Sequence, residues 1–211
     1  NIPLSKIDYQ TIERADLTRY TSIVLTGSLP FSKEFVARLT DWVERGGTLI
    51  ATGTAAQWAV TNKIATGFAV DTTRARRGGD AAAQFYGGNP AERLTGAILK
   101  GELNLSHTLA YGFTSKDFYV LKTSINGLPA ASSPNSVVLK TTSGEPVNGY
   151  VPATLYDKLK DLSVVAATNR GRGAVVLFGE SPTFRGYYLA PGRLLTNALF
   201  FGVGTGGPRE Y

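Results

Sequence analysis

Few residues in this sequence are of a type that could do covalent chemistry. Among 211 residues there is no Cys and a single histidine, His107. The segment Thr52-Gly53-Thr54-Ala55-Ala56 joins an apolar run to a helical one, and a strand–turn–helix of this kind is where a nucleophile elbow lifts one side chain into a crevice. The elbow residue here would be Thr54. Threonine attacks poorly without an adjacent base, so the simpler reading of this turn is a helix start packed with small residues. His107 sits in Leu103-Asn104-Leu105-Ser106-His107-Thr108, a stretch between strands. As a base it would need a nucleophile and an orienting carboxylate around it, so a structural hydrogen bond is the reading we favour. The third candidate follows a strong strand: Phe178-Gly179-Glu180-Ser181-Pro182-Thr183-Phe184-Arg185-Gly186, then Tyr187 and Tyr188. Arg185 among these aromatics has the fork to grip a carboxylate, but such a fork more often fixes a loop.

The composition excludes more than it suggests. Without Cys there are no disulfides, thiolate zinc sites, iron–sulfur clusters or cysteine nucleophiles. One histidine does not furnish the two or three imidazoles of most metal hydrolases, so no metal or cofactor is expected on this chain. No apolar run approaches the roughly 20 residues that span a bilayer. The charge of +6, from 22 Lys+Arg and 16 Asp+Glu, permits attraction to anionic partners. Apart from Arg74, Arg76 and Arg77 the basic residues are scattered, and no nucleic-acid motif or phosphate-binding glycine spacing is present, so no nucleic-acid partner is expected. The absence of Met points to a processed or excised piece of a longer chain.

Elements that would position the candidates can be read from periodicity. Ser22 to Thr26 reads as a buried strand. Ser32 is a plausible N-cap for a helix with Phe35, Val36, Leu39, Trp42 and Val43 at helical spacing, stopped by Gly46-Gly47. Thr48 to Ala51 is a second strand, which makes a βαβ unit with a parallel pair. The turn after it lies at the strand's carboxyl end, where open parallel sheets bind ligands. From about 62 to 95 the chain reads as an irregular Gly- and Arg-rich excursion with a short helix at 81–86. Gly96 to Leu103, Phe118 to Thr123 and Val137 to Thr141 read as strands. Ser163 to Thr168 and Ala174 to Gly179 read as a hairpin around Asn169-Arg170-Gly171-Arg172-Gly173. A closing helix has Pro191 near its start and Leu194, Leu195, Ala198, Leu199 and Phe200 as its apolar face. The expected fold is α/β: a three-layer sandwich whose mostly parallel sheet is extended by antiparallel strands, in one domain over 1–211.

Several blocks together resemble a known kind of domain: YTSIVLTGSLP, WVERGGTLIATGTAAQWA, VVAATNRGRGAVVLFGESPTFRGYY and RLLTNALFFG. Their most pattern-like positions are Trp42, Gly46, Gly47, Trp58, Gly171, Gly173, Phe178, Pro182, Arg185, Gly186, Asn197 and Phe201. They look like the class I glutamine amidotransferase-like domain at the carboxyl end of certain bacterial carboxypeptidase A-type zinc peptidases. Active amidotransferases carry a cysteine at the elbow and His-Pro-Glu after a late strand. Here Thr54 stands at the elbow, and Ser181 and Thr183 flank Pro182. The resemblance therefore implies a flavodoxin/amidotransferase-like domain without that triad. It would be periplasmic or secreted, partnered by an upstream peptidase domain of the same chain that alone holds zinc. No His-x-x-Glu occurs in this sequence. Thr54, Ser181, Arg185 and Tyr187 are then ligand-binding candidates. Two alternatives stand beside it: a binding module for cell-wall peptide or carbohydrate, and a hydrolase of unrecognised type using Thr54 or His107.

Overall fold

Ser22–Leu25 (β1) and Thr48–Thr52 (β2) pair in parallel, Ser22 opposite Thr48 and Leu25 opposite Ala51. They are short, apolar and β-branched, as buried parallel strands are. In the computed structural model, which describes residues 4–27, 30–69, 94–186 and 188–202, a one-turn helix at Tyr9–Ile12 (α1) precedes them. Lys33–Glu44 (α2) connects them. Ser32 Oγ accepts the Phe35 N–H at 3.2 Å, and Phe35, Leu39, Trp42 and Val43 bury one stripe of the helix. Each such side chain contributes about 1.5–3 kcal/mol on leaving water. The stop is equally local. Gly46 takes φ 124°, and a Cβ on Gly47 would lie 2.4 Å from the Trp42 indole, so only glycine lets the chain pass beneath that ring.

Thr54–Thr61 (α3) follows β2 directly. After the 70–93 gap in the description come Ala97–Leu103 (β3), Asp117–Lys122 (β4), Val137–Gly149 (β5) and Tyr156–Leu159 (α4). Ser163–Arg170 (β6), Gly173–Phe178 (β7) and Leu189–Phe201 (α5) complete the elements among the described residues. The strand order is β1-β2-β7-β6-β5-β3-β4. The sheet begins parallel and is extended by antiparallel strands as expected, but it is mixed rather than mostly parallel, because the antiparallel extension is the larger part. Among the described residues β1–β2 and β2–β7 are parallel, while β7–β6, β6–β5, β5–β3 and β3–β4 are antiparallel.

Alternation along the strands divides the core. Leu49, Ala51, Val175 and Leu177 face α2 and α3. Ile50, Val176 and Phe178 face the other way, toward Leu194 and Ala198 of α5, and the same cluster includes Phe118 and Val120 of the edge strand. A smaller cluster joins Leu99 to Val151, Leu155 and Leu159. The protein is thus an α/β sandwich. Two local expectations are corrected. β5 runs eight residues past Thr141, because register shifts in its pairing with β3 absorb Pro146, which pairs with Leu99. Phe200, placed by spacing on the apolar face of α5, is 66% exposed, since only Leu194 and Ala198 of that stripe reach the sheet fully. The helix at 81–86 and most of the 62–95 excursion lie outside the described residues. Phe68, at its beginning, bridges to Ala131.

Candidate functional site

The strand directions define two ends of the sheet. β1, β2, β4, β5 and β7 run one way and β3 and β6 the other, so Thr52, Phe178 and Lys122 lie at one common end. This carboxyl end is where an open α/β sheet places its crevice.

At β2 the chain leaves the sheet through Gly53, with φ 58° and ψ −123°, and the Gly53 N–H donates to Phe178 O at 2.8 Å. That conformation is strained for any residue with a Cβ, at a cost of about 1–3 kcal/mol. The apex of the turn is therefore Gly53, not Thr54. Thr54 is the first residue of α3 and is exposed. A Cβ built on Gly53 would meet nothing within 4 Å, so the apex is open and carries no side chain.

Beyond β7, the Gly179 N–H donates to Val164 O at 2.8 Å and the chain departs over the end of the sheet. Ser181 is exposed, and Pro182 is buried. Arg185 adopts φ 52° and ψ 14°, the left-handed region uncommon for a residue with a side chain. It is exposed, with its guanidinium 5.3 Å from the Phe184 ring centroid. Tyr187 lies outside the described residues, as do Arg74, Arg76 and Arg77. Thr54, Ser181 and Arg185 thus all follow strands ending at the same end. A cavity of about 20 Å³, the room of roughly one water, is lined there by Phe178, Glu180, Ser181, Pro182, Tyr188 and Pro191.

The strongest electrostatic feature of this end escaped the sequence reading. Lys122, the last residue of β4, is fully buried. Its Nζ donates to Glu180 Oε1 at 2.6 Å and to Asn126 O at 2.6 Å. Glu180 Oε2 accepts from Thr123 Oγ1 at 2.7 Å, with the Thr123 N–H at 3.4 Å. A buried ammonium is tolerable only when paired and hydrogen-bonded, and Glu180 supplies that pairing. The available signal was alternation: Phe118, Val120 and Lys122 fall on the inward positions of one strand, so a lysine there must find a buried anion.

His107 is at the other end. It follows β3, which runs opposite to β2, and its Nδ1 accepts the Leu109 N–H at 3.1 Å, capping the turn Thr108–Ala110. Asn197 of α5 holds the same loop, Nδ2 donating to Leu109 O at 2.7 Å and Tyr111 O at 2.9 Å. Thr54 and His107 therefore do not share a site. Asp8 and Asp16 are held below the usual carboxylate range by the hydroxyls and amides of Thr11 and Thr18 respectively, as caps of the N-terminal turns. Among the described residues no three of His, Asp and Glu gather as a metal site, and no helix is long and apolar enough to cross a membrane.

The sequence matches no family model and no curated protein. Solved structures similar to it include a cytoplasmic protein of Salmonella typhimurium, at 15% identity and a TM-score of 0.49, covering 90% of this chain and 77% of that one. A protein of Bacteroides uniformis described as ThuA-like is 13% identical with a TM-score of 0.48, over 91% of this chain and 74% of that. A β-galactosidase of Bacillus circulans is 13% identical with a TM-score of 0.41, over 92% of this chain and 24% of that. These likenesses concern the fold alone.

Proposed function

We propose that this chain is an amidotransferase-like accessory domain with no reaction of its own, belonging to a secreted or periplasmic zinc carboxypeptidase. There it packs against the peptidase domain of the same chain or positions its substrate. The observation behind this reading is the apex of the β2–α3 turn. The strained geometry that in an elbow presents a nucleophile is occupied here by Gly53, which has none. The acidic side chain that follows β7, Glu180, has both oxygens engaged by Lys122 and Thr123. The purified chain should hydrolyse neither glutamine nor peptide substrates above a buffer blank. In the parent protein, deleting these residues should raise KM for peptide more than it lowers kcat. Turnover by the isolated chain that disappears in Thr54→Ala would overturn the proposal.

A second reading, a binding module for cell-wall peptide or carbohydrate, is favoured by Arg185, whose guanidinium is exposed above Phe184 in a conformation that costs about 1–3 kcal/mol to hold. Saturable binding of cell-wall fragments, lost in Arg185→Ala while the fold is kept, would support it. For the third reading, a hydrolase of unrecognised type using Thr54 or His107, the two residues lie at opposite ends of the sheet, so neither would activate the other.

A further inference from the structure

The Lys122–Glu180 contact is asymmetric in a way that a plain strut between two rigid elements is not. Its cation comes from a regular strand and is fully buried; its anion comes from the segment beyond β7, with its side chain 12% exposed. That segment has left the sheet, closes a turn from the Gly186 N–H to Thr183 O, and contains the left-handed Arg185. The donors are arranged for one particular anion. Nζ of Lys122 takes one carboxylate oxygen, and the hydroxyl of Thr123 takes the other, with the Thr123 N–H beside it. Two donors set to two oxygens suit a planar carboxylate, and charge-assisted bonds of this kind are the strong ones. The corner lies at the end of the sheet where ligands of open α/β folds are bound.

We propose that the Lys122–Thr123 corner is a carboxylate-binding site occupied in this structure by the chain's own Glu180, which acts as a tethered plug. A ligand bearing a carboxylate takes the corner when residues 180–186 swing away. While tethered, Glu180 competes at the effective concentration of an intramolecular group, on the order of millimolar or more, so a weak free carboxylate does not displace it from the wild type. This inference does not depend on the accessory-domain reading, and either can fail alone.

Two measurements test it. The first is native-state hydrogen exchange on the wild-type chain, resolved by residue. A plug opens locally, so the hydrogen-bonded amides of Thr123 and Gly186 should exchange through a step insensitive to low denaturant, while those of β7 exchange only through global unfolding. Exchange of both sets solely through global unfolding makes the pair a strut and overturns the proposal. The second uses sodium acetate as the probe, with sodium chloride and sodium sulfate at equal ionic strength as controls. Glu180→Ala should bind acetate saturably, shifting the amide signals of Thr123 and Asn126 and raising the folded-to-unfolded ratio about tenfold at ten times Kd. Lys122→Met in the Glu180→Ala background should abolish the response. If Glu180→Ala does not fold, Glu180→Gln keeps the shape of the plug and removes its charge. Acetate should then move the signals of 180–186 together with that of Thr123. An equal response to sulfate, or a response that survives loss of Lys122, overturns the site.

Discussion

The two ends of the sheet use the same residue types for opposite purposes. At the amino end Gly47, Gly173 and Gly202 are glycine because there is no room for a side chain. A Cβ on Gly173 would lie 2.0 Å from Val43 O and 2.3 Å from Gly47 O, and one on Gly202 would lie 2.2 Å from the Thr48 side chain. Arg170 there joins Glu44 at 2.9 Å and also reaches the carbonyls of Lys63 and Ile64, locking the hairpin to α2 and to the end of α3. At the carboxyl end, Gly53 has open space around it and is glycine for its backbone angles alone. The same end of the sheet carries exposed Thr54, Ser181 and Arg185, and a buried charge held from a loop. Close backbone packing makes the first end a foundation. Open space and a loop-held carboxylate leave the second free to change.

The largest expected effect tests how the carboxyl end is held. Lys122→Met leaves the largely enclosed Glu180 carboxylate without its cation, and losing one partner of a buried pair costs about 3–5 kcal/mol. Urea unfolding followed by tryptophan fluorescence should show that loss. Adding Glu180→Leu should recover most of it, because an apolar pair of similar volume avoids the desolvation of two charges. A loss below about 1 kcal/mol for Lys122→Met, the range of an exposed pair, would mean that this end is not anchored by the ion pair.

Glycine substitutions sharpen the comparison directly. Gly173→Ala must displace the α2 carbonyl of Val43 and the backbone at Gly47, which do not yield as a flexible side chain would, so we expect about 3 kcal/mol or somewhat more. Gly53→Ala meets no atoms and pays only for its backbone conformation, about 1–3 kcal/mol. The order of the two denaturation midpoints is the result to read: Gly173→Ala should fall below Gly53→Ala.

The same contrast explains what could be read from the sequence. The elements around β2 and β7 are set by local chemistry: Ser32 caps α2, Gly46 and Gly47 end it, and Gly171 with φ 58° turns the antiparallel β6–β7 hairpin. Each signal lies within a few residues of its effect. The candidates Thr54, Ser181 and Arg185 were legible because all three follow apolar runs. The apex at Gly53 was not, because it is a matter of one dihedral angle that spacing does not encode. Neither was the Lys122–Glu180 pair, whose partners are 58 residues apart and meet only through the topology. The strand signal of β5 ends at Thr141 for a similar reason, although the strand continues to Gly149. Ser143, Gly144 and Pro146 look like a turn, yet Gly144 is needed because a Cβ there would lie 2.0 Å from Tyr156 O, and Pro146 sits where the ladder shifts register.

An effect no larger than that of Gly53→Ala concerns the clamp at the foundation. Asn197 is 6% exposed and its amide nitrogen holds the carbonyls of Leu109 and Tyr111, so Asn197→Ala leaves two acceptors with no donor from α5. Unsatisfied buried groups cost about 1–3 kcal/mol, and with Tyr111 itself 70% exposed, water can reach one of the two carbonyls, so we expect about 2 kcal/mol. The location of the response matters more than its size. Hydrogen exchange should quicken at Leu109, Ala110 and Phe113, whose N–H groups lie in the clamped loop, while Thr123 and 180–186 at the far end stay as they were. Quickening at both ends would show that the sheet transmits the loosening, and the two ends would then be one cooperative unit rather than a foundation and a separately adjustable rim.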